Sequence, residues 1–223
     1  TKVHVEVAKL SKEGYEFIMI GHKGHPEVEG TMGQLTEGIH LVEDVADVAG
    51  VQVPDESRIA VVTQTTLSVD DAAEILRAVK QRFPLVREPK KQDICYATQN
   101  RQDAVKVLSG EVDIVIVVGS PTSSNSNRLR EVAQRLGTAS YMVDSADEIR
   151  ADWFEDRPRV GLTAGASAPE LLVDAVIARL KELGALSVRK MPGVEEHIEF
   201  PLPKGLGDKA MAEAGVTAAP RPH

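Results

Sequence analysis

The feature that most limits how this chain can fold is residues 113–127, where an unbroken apolar run passes directly into a polar segment. Residues 114–118 are all valine or isoleucine, as expected of a strand that is buried on both faces of a parallel sheet. Gly119 breaks this run, and apolar side chains return with helical spacing over residues 129–136. The sequence therefore predicts a strand, a polar turn and a helix in immediate succession.

Seven hydroxyl or amide side chains lie between that strand and the apolar face of that helix: Ser120, Thr122, Ser123, Ser124, Asn125, Ser126 and Asn127. A helix start offers unpaired N–H groups and a partial positive charge, and no acid lies among these residues to repel an anion. The segment therefore predicts a phosphate or diphosphate site. The alternative is a helix cap followed by a solvated loop, which would use only one or two of these side chains.

The same succession of strand, polar or small-residue turn and helix recurs along the chain. Strands are predicted to begin near residues 59, 113 and 160, and the turn at Cys95 has the same form. Such units predict an α/β fold with mainly parallel sheets, whose turns gather on one rim at the carboxyl ends of the strands. We expect two repeated βα domains, at residues 1–91 and 92–187, and an extended C-terminal tail over residues 188–223.

Composition and charge narrow the class of partner. A formal net charge of −8 without a basic run argues against a nucleic-acid partner. No segment is long and apolar enough to cross a membrane, and the single cysteine excludes an internal disulfide and suits a reducing cytoplasm. A helical pattern begins at Thr1 without a capping residue before it, so we expect the chain to be cut from a longer one.

Three groups on the predicted rim could carry chemistry. His22 and His25 have a spacing found in metal sites, but no third ligand lies nearby in the sequence. Glu27 is a candidate proton donor, and the alternative is a solvated loop acid. Cys95 is predicted at a strand end facing polar turns, where a thiolate could be used; the alternative is a small buried apolar residue.

Five segments resemble the LytB family of 4-hydroxy-3-methylbut-2-enyl diphosphate reductases and occur in the family's order: GHKGHPEVEGTMGQ, TQTTLS, DICYATQNRQ, VGSPTSSNSNRL and TAGASAP. The resemblance reaches to about Pro203. It implies an iron–sulfur enzyme that removes the allylic hydroxyl of (E)-4-hydroxy-3-methylbut-2-enyl diphosphate. Two electrons and protons then yield isopentenyl and dimethylallyl diphosphate, at the last step of the non-mevalonate isoprenoid pathway.

The resemblance also implies partners, a location and residue roles. The partners are an electron donor such as a ferredoxin or a flavodoxin, and the location is the cytoplasm, or the plastid of a photosynthetic eukaryote. Cys95 resembles one of three cysteine ligands of a 4Fe–4S cluster, in which one iron stays open to bind the substrate oxygen. Glu27 resembles the proton donor, His25 a substrate-contacting histidine, and Thr65 the threonine that orders hydrogen bonds with this acid. The implied diphosphate cradle consists of Ser123, Ser124, Asn125 and Ser167.

The chain departs from the family pattern in its extent. The family has three similar α/β domains around a cleft, and the N-terminal domain, which carries one cluster cysteine and two diphosphate-binding histidines, has no counterpart here. A second cysteine precedes the family segment that corresponds to Thr1. We therefore expect two of the three domains of a LytB-type trefoil and no turnover by this chain alone. The alternative is a non-catalytic phosphate- or diphosphate-binding α/β module in which Cys95 is inert.

Overall fold

The structure is a computed structural model that describes residues 2–89, 93–156 and 158–194. Within these ranges the helices are α1 (Lys2–Leu10), α2 (Pro26–Met32), α3 (Val69–Arg82), α4 (Tyr96–Ser109), α5 (Ser124–Arg135) and α6 (Glu170–Glu182). The strands are β1 (Glu16–Ile20), β2 (Ile39–Val42), β3 (Ile59–Thr63), β4 (Ile114–Val118), β5 (Ala139–Val143) and β6 (Val160–Ala164).

These strands form two three-stranded sheets in which all neighbours are parallel. In the first sheet β1 lies between β2 and β3, and in the second sheet β4 lies between β5 and β6. The pairing register places Ile116 opposite Tyr141 on one side and Leu162 on the other. The predicted α/β class with parallel sheets is therefore confirmed.

The two sheets belong to two halves that repeat the same order of elements. Each half contains a helix, a central strand, a helix, an edge strand, a short 3₁₀ turn, the other edge strand and a helix. In four turns the N-cap of the helix is the fifth residue after the strand: His25, Ser68, Ser123 and Pro169 follow β1, β3, β4 and β6. Because the strands are parallel, these turns lie at the carboxyl ends of the two sheets.

Helices cover both faces of the first sheet, which explains its continuous apolar strands. Alternate residues of a strand point to opposite faces, so Ile18 packs with Val79 of α3 while Phe17 packs with Val7 of α1. In the second sheet, Ile116 packs on the face that α6 covers. Burial on both faces is typical of parallel sheets and leaves their carboxyl edges as the natural place for polar groups.

The prediction of a strand before Cys95 is wrong for the residues that the structure describes. Asp93 and Ile94 form a bend and Cys95 is the N-cap of α4. The sequence pattern predicts a helix over residues 101–109, whereas α4 begins at Tyr96. The segment leaves the sheet because the Asp93 side chain, rather than a backbone ladder, makes the hydrogen bond to the end of β3.

The sequence also predicts a turn over residues 21–30 and a polar connection from residue 31, and this prediction is wrong, since residues 26–32 form helix α2. Pro26 occupies the first helical position, where its missing N–H costs nothing, and His25 caps the helix. Glu27 therefore lies on a helix, whose hydrogen bonds hold its backbone more firmly than a loop would.

The described residues up to Arg189 form one compact unit, and residues 190–194 carry no helix or strand. The predicted domain boundary at residues 91 and 92 and most of the predicted tail, residues 195–223, fall outside the described residues, so both stay predictions. Among the described helices, none combines the length and the apolar character that crossing a bilayer requires.

Candidate functional site

Glu27, in the first turn of α2, is oriented by a residue that follows β3. Its Oε2 accepts a hydrogen bond from the Thr65 hydroxyl at 3.0 Å, and both carboxylate oxygens lie 3.1 Å from the Thr65 backbone nitrogen. Both residues are partly buried. Because two donors of one residue hold this carboxylate, Glu27 differs from the solvated loop acid of the alternative interpretation.

His25 caps α2 next to this acid. Its Nδ1 accepts a hydrogen bond from the Glu27 backbone N–H at 3.2 Å, so Nδ1 carries no proton. In the neutral ring the proton then lies on Nε2, which makes Nε2 the donor that His25 can offer to a ligand. The capping contact thus sets both the position and the tautomer of the imidazole.

Gln64 and Thr66 connect the turns of the two halves. Gln64 is 0% exposed, its Oε1 accepts from the His22 backbone N–H at 3.0 Å, and its Nε2 donates to Thr66 Oγ1 at 3.0 Å. The Thr66 hydroxyl in turn donates to Ser124 Oγ at 2.9 Å, at the start of α5 in the second half. These contacts bring the polar turns of both sheets together, as the sequence predicts.

The first turn of α5 contains an unsatisfied buried amide. Ser123 caps the helix, accepting from the Ser126 N–H at 3.3 Å, and Asn125 is only 7% exposed. Neither Oδ1 nor Nδ2 of Asn125 finds a hydrogen-bond partner in the part of the chain that the structure describes. A buried polar group without a partner costs roughly 1–3 kcal/mol, so the site favours a polar ligand, and a helix start without acids favours an anion.

Gly119 and Gly165 allow the ends of β4 and β6 to lie close to the first turn of α5. A Cβ at Gly119, after β4, or at Gly165, after β6, would overlap the hydroxyl oxygen of Ser126. The Gly165 N–H donates to the Val118 carbonyl at 2.9 Å, which ties the two strand ends to each other. Residues with side chains at these positions would push α5 away from the sheet edge.

Ser167 is exposed in the turn that follows Gly165. It is the third residue after β6, and Thr66 is the third residue after β3, so the repeat makes the two hydroxyls equivalent. Thr66 contacts Ser124, whereas no hydrogen bond joins Ser167 to the start of α5 in the described residues. The structure thus brings Ser123, Ser124 and Asn125 together and leaves Ser167 on the neighbouring turn.

Cys95 is exposed, and its backbone N–H donates to the Thr65 carbonyl at 3.0 Å. It is therefore not the small buried apolar residue of the alternative interpretation. Thr65 bonds to Glu27 through its N–H and hydroxyl and to Cys95 through its carbonyl. The acid and the thiol-bearing residue are consequently held by the same threonine.

The donor set for an iron–sulfur cluster is incomplete in this chain. Cys95 is the single cysteine of the sequence, and the described residues contain no group of three or more His, Cys, Asp or Glu side chains that could hold a metal ion. A four-iron cluster normally takes protein thiolates at most of its irons. The residues of this chain therefore offer one ligand and do not by themselves fit a whole cluster. For the same reason, the described residues provide no third ligand for a metal ion at His22 and His25.

The surroundings of His22 favour its neutral form. Burial, and after it the positive charge of Arg128 on α5, lower the pKa of His22 below its ordinary value, while Glu43 and Glu131 partly oppose this effect. The backbone N–H of His22 donates to Gln64 Oε1.

Sequence reasoning missed Gln64 and Thr66 as parts of this site. Both lie in the TQTTLS segment, where only Thr65 was assigned a role. The sequence did contain evidence for a role of Gln64. A glutamine directly after an apolar strand lies at the carboxyl end of the sheet, where its long side chain can form hydrogen bonds to neighbouring turns. Their partners, the His22 backbone and Ser124, are remote in sequence and could not be inferred from spacing.

Comparisons with known proteins agree with this picture. Residues 1–181 match the family described as LytB protein. A "4-hydroxy-3-methylbut-2-enyl diphosphate reductase" of Methylibium petroleiphilum is 78% identical over 211 residues, which cover 95% of this chain and 64% of that protein. A "4-hydroxy-3-methylbut-2-enyl diphosphate reductase 1" of Burkholderia pseudomallei is 65% identical over 206 residues, with coverages of 92% and 63%. The chain thus spans a little under two thirds of the length of these relatives.

The fold also agrees with a solved structure. The E-1-hydroxy-2-methyl-but-2-enyl-4-diphosphate reductase from Plasmodium falciparum superposes with a TM-score of 0.86 at 32% identity, covering 96% of this chain and 68% of that one. Because the family matches most of its length and the relatives are this similar, the chain belongs to the LytB family.

Proposed function

We propose that this chain forms the acid-bearing and diphosphate-binding part of a 4-hydroxy-3-methylbut-2-enyl diphosphate reductase. The reaction breaks the allylic C–O bond of the substrate and forms a C–H bond. Two electrons and two protons are taken up, and water leaves with isopentenyl or dimethylallyl diphosphate as the product. The observation that carries this proposal is the position of Thr65, which joins the acid Glu27 to the thiol-bearing Cys95.

In this proposal Glu27 delivers the proton that lets the hydroxyl leave as water. Thr65 donates two hydrogen bonds to its carboxylate, so the acid is aimed before the substrate arrives. The Thr65 oxygen keeps lone pairs that can accept a hydrogen bond from the substrate hydroxyl. His25 offers Nε2–H to the same substrate from the adjacent cap.

The start of α5 binds the diphosphate. Its N–H groups, the Ser123 and Ser124 hydroxyls and the buried Asn125 amide supply donors for phosphate oxygens, and Ser167 adds a hydroxyl from the next turn. Asn125 gives this assignment its support, because an anion would satisfy an amide that has no partner among the described residues. The absence of acids from the first turn of α5 removes a source of repulsion.

The cofactor assignment is limited to a single ligand. Cys95 provides one thiolate of a 4Fe–4S cluster, whose other ligands come from residues outside this chain; when bound, such a cluster supplies electrons to the substrate. An electron donor such as a ferredoxin or a flavodoxin reduces it. With one thiolate out of the required set, this chain alone does not turn over.

The test is the variant Glu27→Gln in a full-length reductase that contains this segment. Glutamine keeps the shape and a hydrogen-bond acceptor but cannot deliver the proton, so turnover should fall about 10²–10⁴-fold. The cluster absorption spectrum should remain intact. Glu29→Gln is the matched control, because Glu29 lies on the same helix but is exposed, and it should retain normal turnover. Normal turnover in Glu27→Gln would remove Glu27 from the mechanism.

A second function, binding of phosphate or diphosphate without catalysis, also agrees with the unsatisfied Asn125 amide. The two functions differ in whether Cys95 binds iron. The full-length protein, purified without oxygen, should lose its iron and its brown colour in Cys95→Ser if the reductase function holds. Unchanged iron content in that variant would favour the binding module.

A further inference from the structure

Asp93 is a buried carboxylate that the proposed chemistry does not use. Its side chain is 0% exposed, its Oδ2 accepts from the Thr63 backbone N–H at 3.2 Å, and its Oδ1 accepts from Lys2 Nζ at 2.8 Å. A buried carboxylate is retained only where its hydrogen bonds offset the loss of hydration. Asp93 therefore does something specific in the fold, two residues before Cys95.

The position of Asp93 is explained by the open edge of β3. This strand pairs with β1 on one side, and on the other side Val61 N–H donates to the Arg87 carbonyl at 2.9 Å. The next outward N–H belongs to Thr63 and is met by the Asp93 carboxylate. Further along, the Thr65 carbonyl is met by the Cys95 N–H at 3.0 Å. Asp93 thus replaces a ladder hydrogen bond where no strand is described.

Two consecutive attachments follow from this arrangement, one through a side chain and one through the backbone. They join Thr63 to Asp93 and Thr65 to Cys95, so the segment that carries the thiol is aligned with the end of β3. Thr65 also holds Glu27. The Cys95 backbone and the Glu27 carboxylate are therefore both attached to Thr65.

We propose that Asp93 is a positioning residue that sets where Cys95 lies relative to Thr65 and Glu27. The role comes from its capacity to accept the Thr63 N–H, while the ion pair with Lys2 supplies the counter-charge that a buried carboxylate requires. This inference rests on the proposed function, because only there does the position of the Cys95 thiol matter for chemistry.

The experiment is amide hydrogen exchange, followed by NMR, in the 223-residue chain and two variants. Asp93→Ala removes the acceptor, and the Thr63 and Cys95 amides should then exchange tenfold faster or more. The double variant Asp93→Asn/Lys2→Met keeps an oxygen that can accept from Thr63 and removes the lysine that would face the new amide nitrogen, so it should preserve the Cys95 protection within about twofold. The amides of β4 report general loosening and should not change in any variant.

A label on the thiol gives an independent readout. Cys95 is the single cysteine, so a nitroxide attaches at one place, and its spectrum should show greater mobility in Asp93→Ala but not in Asp93→Asn/Lys2→Met. If Asp93→Ala does not fold, Asp93→Ser takes its place, since the shorter hydroxyl cannot span to the Thr63 N–H.

Three results would overturn the proposal: unchanged Cys95 protection in Asp93→Ala, an equal acceleration of the β4 amides in that variant, or loss of Cys95 protection in Asp93→Asn/Lys2→Met, where the acceptor is retained. Neither readout requires substrate or cluster, so a failure here leaves the Glu27 turnover test intact. Failure of that turnover test would likewise leave the exchange result standing.

Discussion

The variant Gly165→Ala tests how closely the ends of β4 and β6 pack against the first turn of α5. A Cβ there would overlap the Ser126 hydroxyl oxygen but would lie 3.5 Å from the Ser126 Cβ, which is an ordinary contact. Ser126 is 1% exposed, and its hydroxyl donates to Ser123 Oγ at 3.0 Å. The hydroxyl can move aside only by breaking this buried bond, so Gly165→Ala should lower the free energy of unfolding by about 1–3 kcal/mol.

Removing the overlapping oxygen should rescue this variant. Ser126→Ala alone loses one neutral hydrogen bond and should cost about 0.5–1.5 kcal/mol. The double variant Gly165→Ala/Ser126→Ala should cost no more than that, which is a coupling free energy of about 1–3 kcal/mol. Gly119→Ala is the matched control: its Cβ would lie 2.8 Å from the Ser126 Cβ, so Ser126→Ala cannot relieve it.

The assay is urea unfolding of the three single variants and of the two double variants in which Ser126→Ala is combined with Gly165→Ala or with Gly119→Ala. Their free energies are compared where the dependence on urea concentration is the same. Two results would contradict the reasoning. The first is a Gly165→Ala variant whose free energy of unfolding lies within about 0.5 kcal/mol of wild type, which is the usual range for inert substitutions. The second is that Ser126→Ala restores the stability of Gly165→Ala and Gly119→Ala equally. Only the Cβ added at Gly119 would overlap the Ser126 Cβ, which remains in Ser126→Ala, so the rescue of Gly119→Ala should be smaller.

Two further predictions concern Asn125 and His22. Asn125→Leu fills a similar volume without unsatisfied polar atoms, so urea unfolding should show about 1–2 kcal/mol of added stability. Calorimetric titration with inorganic diphosphate should show that binding to this variant is weakened tenfold or more. Lower stability or unchanged binding would contradict the assignment of Asn125 to the diphosphate site. Because burial and Arg128 lower the pKa of folded His22, the unfolded chain takes up a proton near pH 6.5 while the folded chain does not. The contribution of His22 is therefore fully present above that pH and is lost as the pH falls below it. His22→Asn should flatten the pH dependence of the urea midpoint between about pH 7 and 5, and equal slopes would contradict this sign.

The type and approximate bounds of many elements can be predicted from neighbouring residues, because the physics that sets them is local. A run of valine and isoleucine favours a buried strand in any context, so β4 could be placed from residues 114–118 alone. A serine directly before a helical pattern favours a helix cap, and the Ser68 side chain does accept from the Asp71 N–H at 3.2 Å. The polar turn around Ser123 and Asn125 was also visible, since it follows directly from where the apolar pattern stops.

Tertiary structure alone decided which of these turns meet and what Cys95 contacts. The predicted strand before Cys95 is missing from the described residues, because a single buried side chain, Asp93, satisfies the edge of β3 in place of a backbone ladder. The bonds from Thr65 to Glu27 and from Thr66 to Ser124 join residues separated by 38 and 58 positions. The first contact depends on the pairing of β1 with β3 in one sheet, and the second depends on how the two halves meet. No local period in the sequence encodes either arrangement.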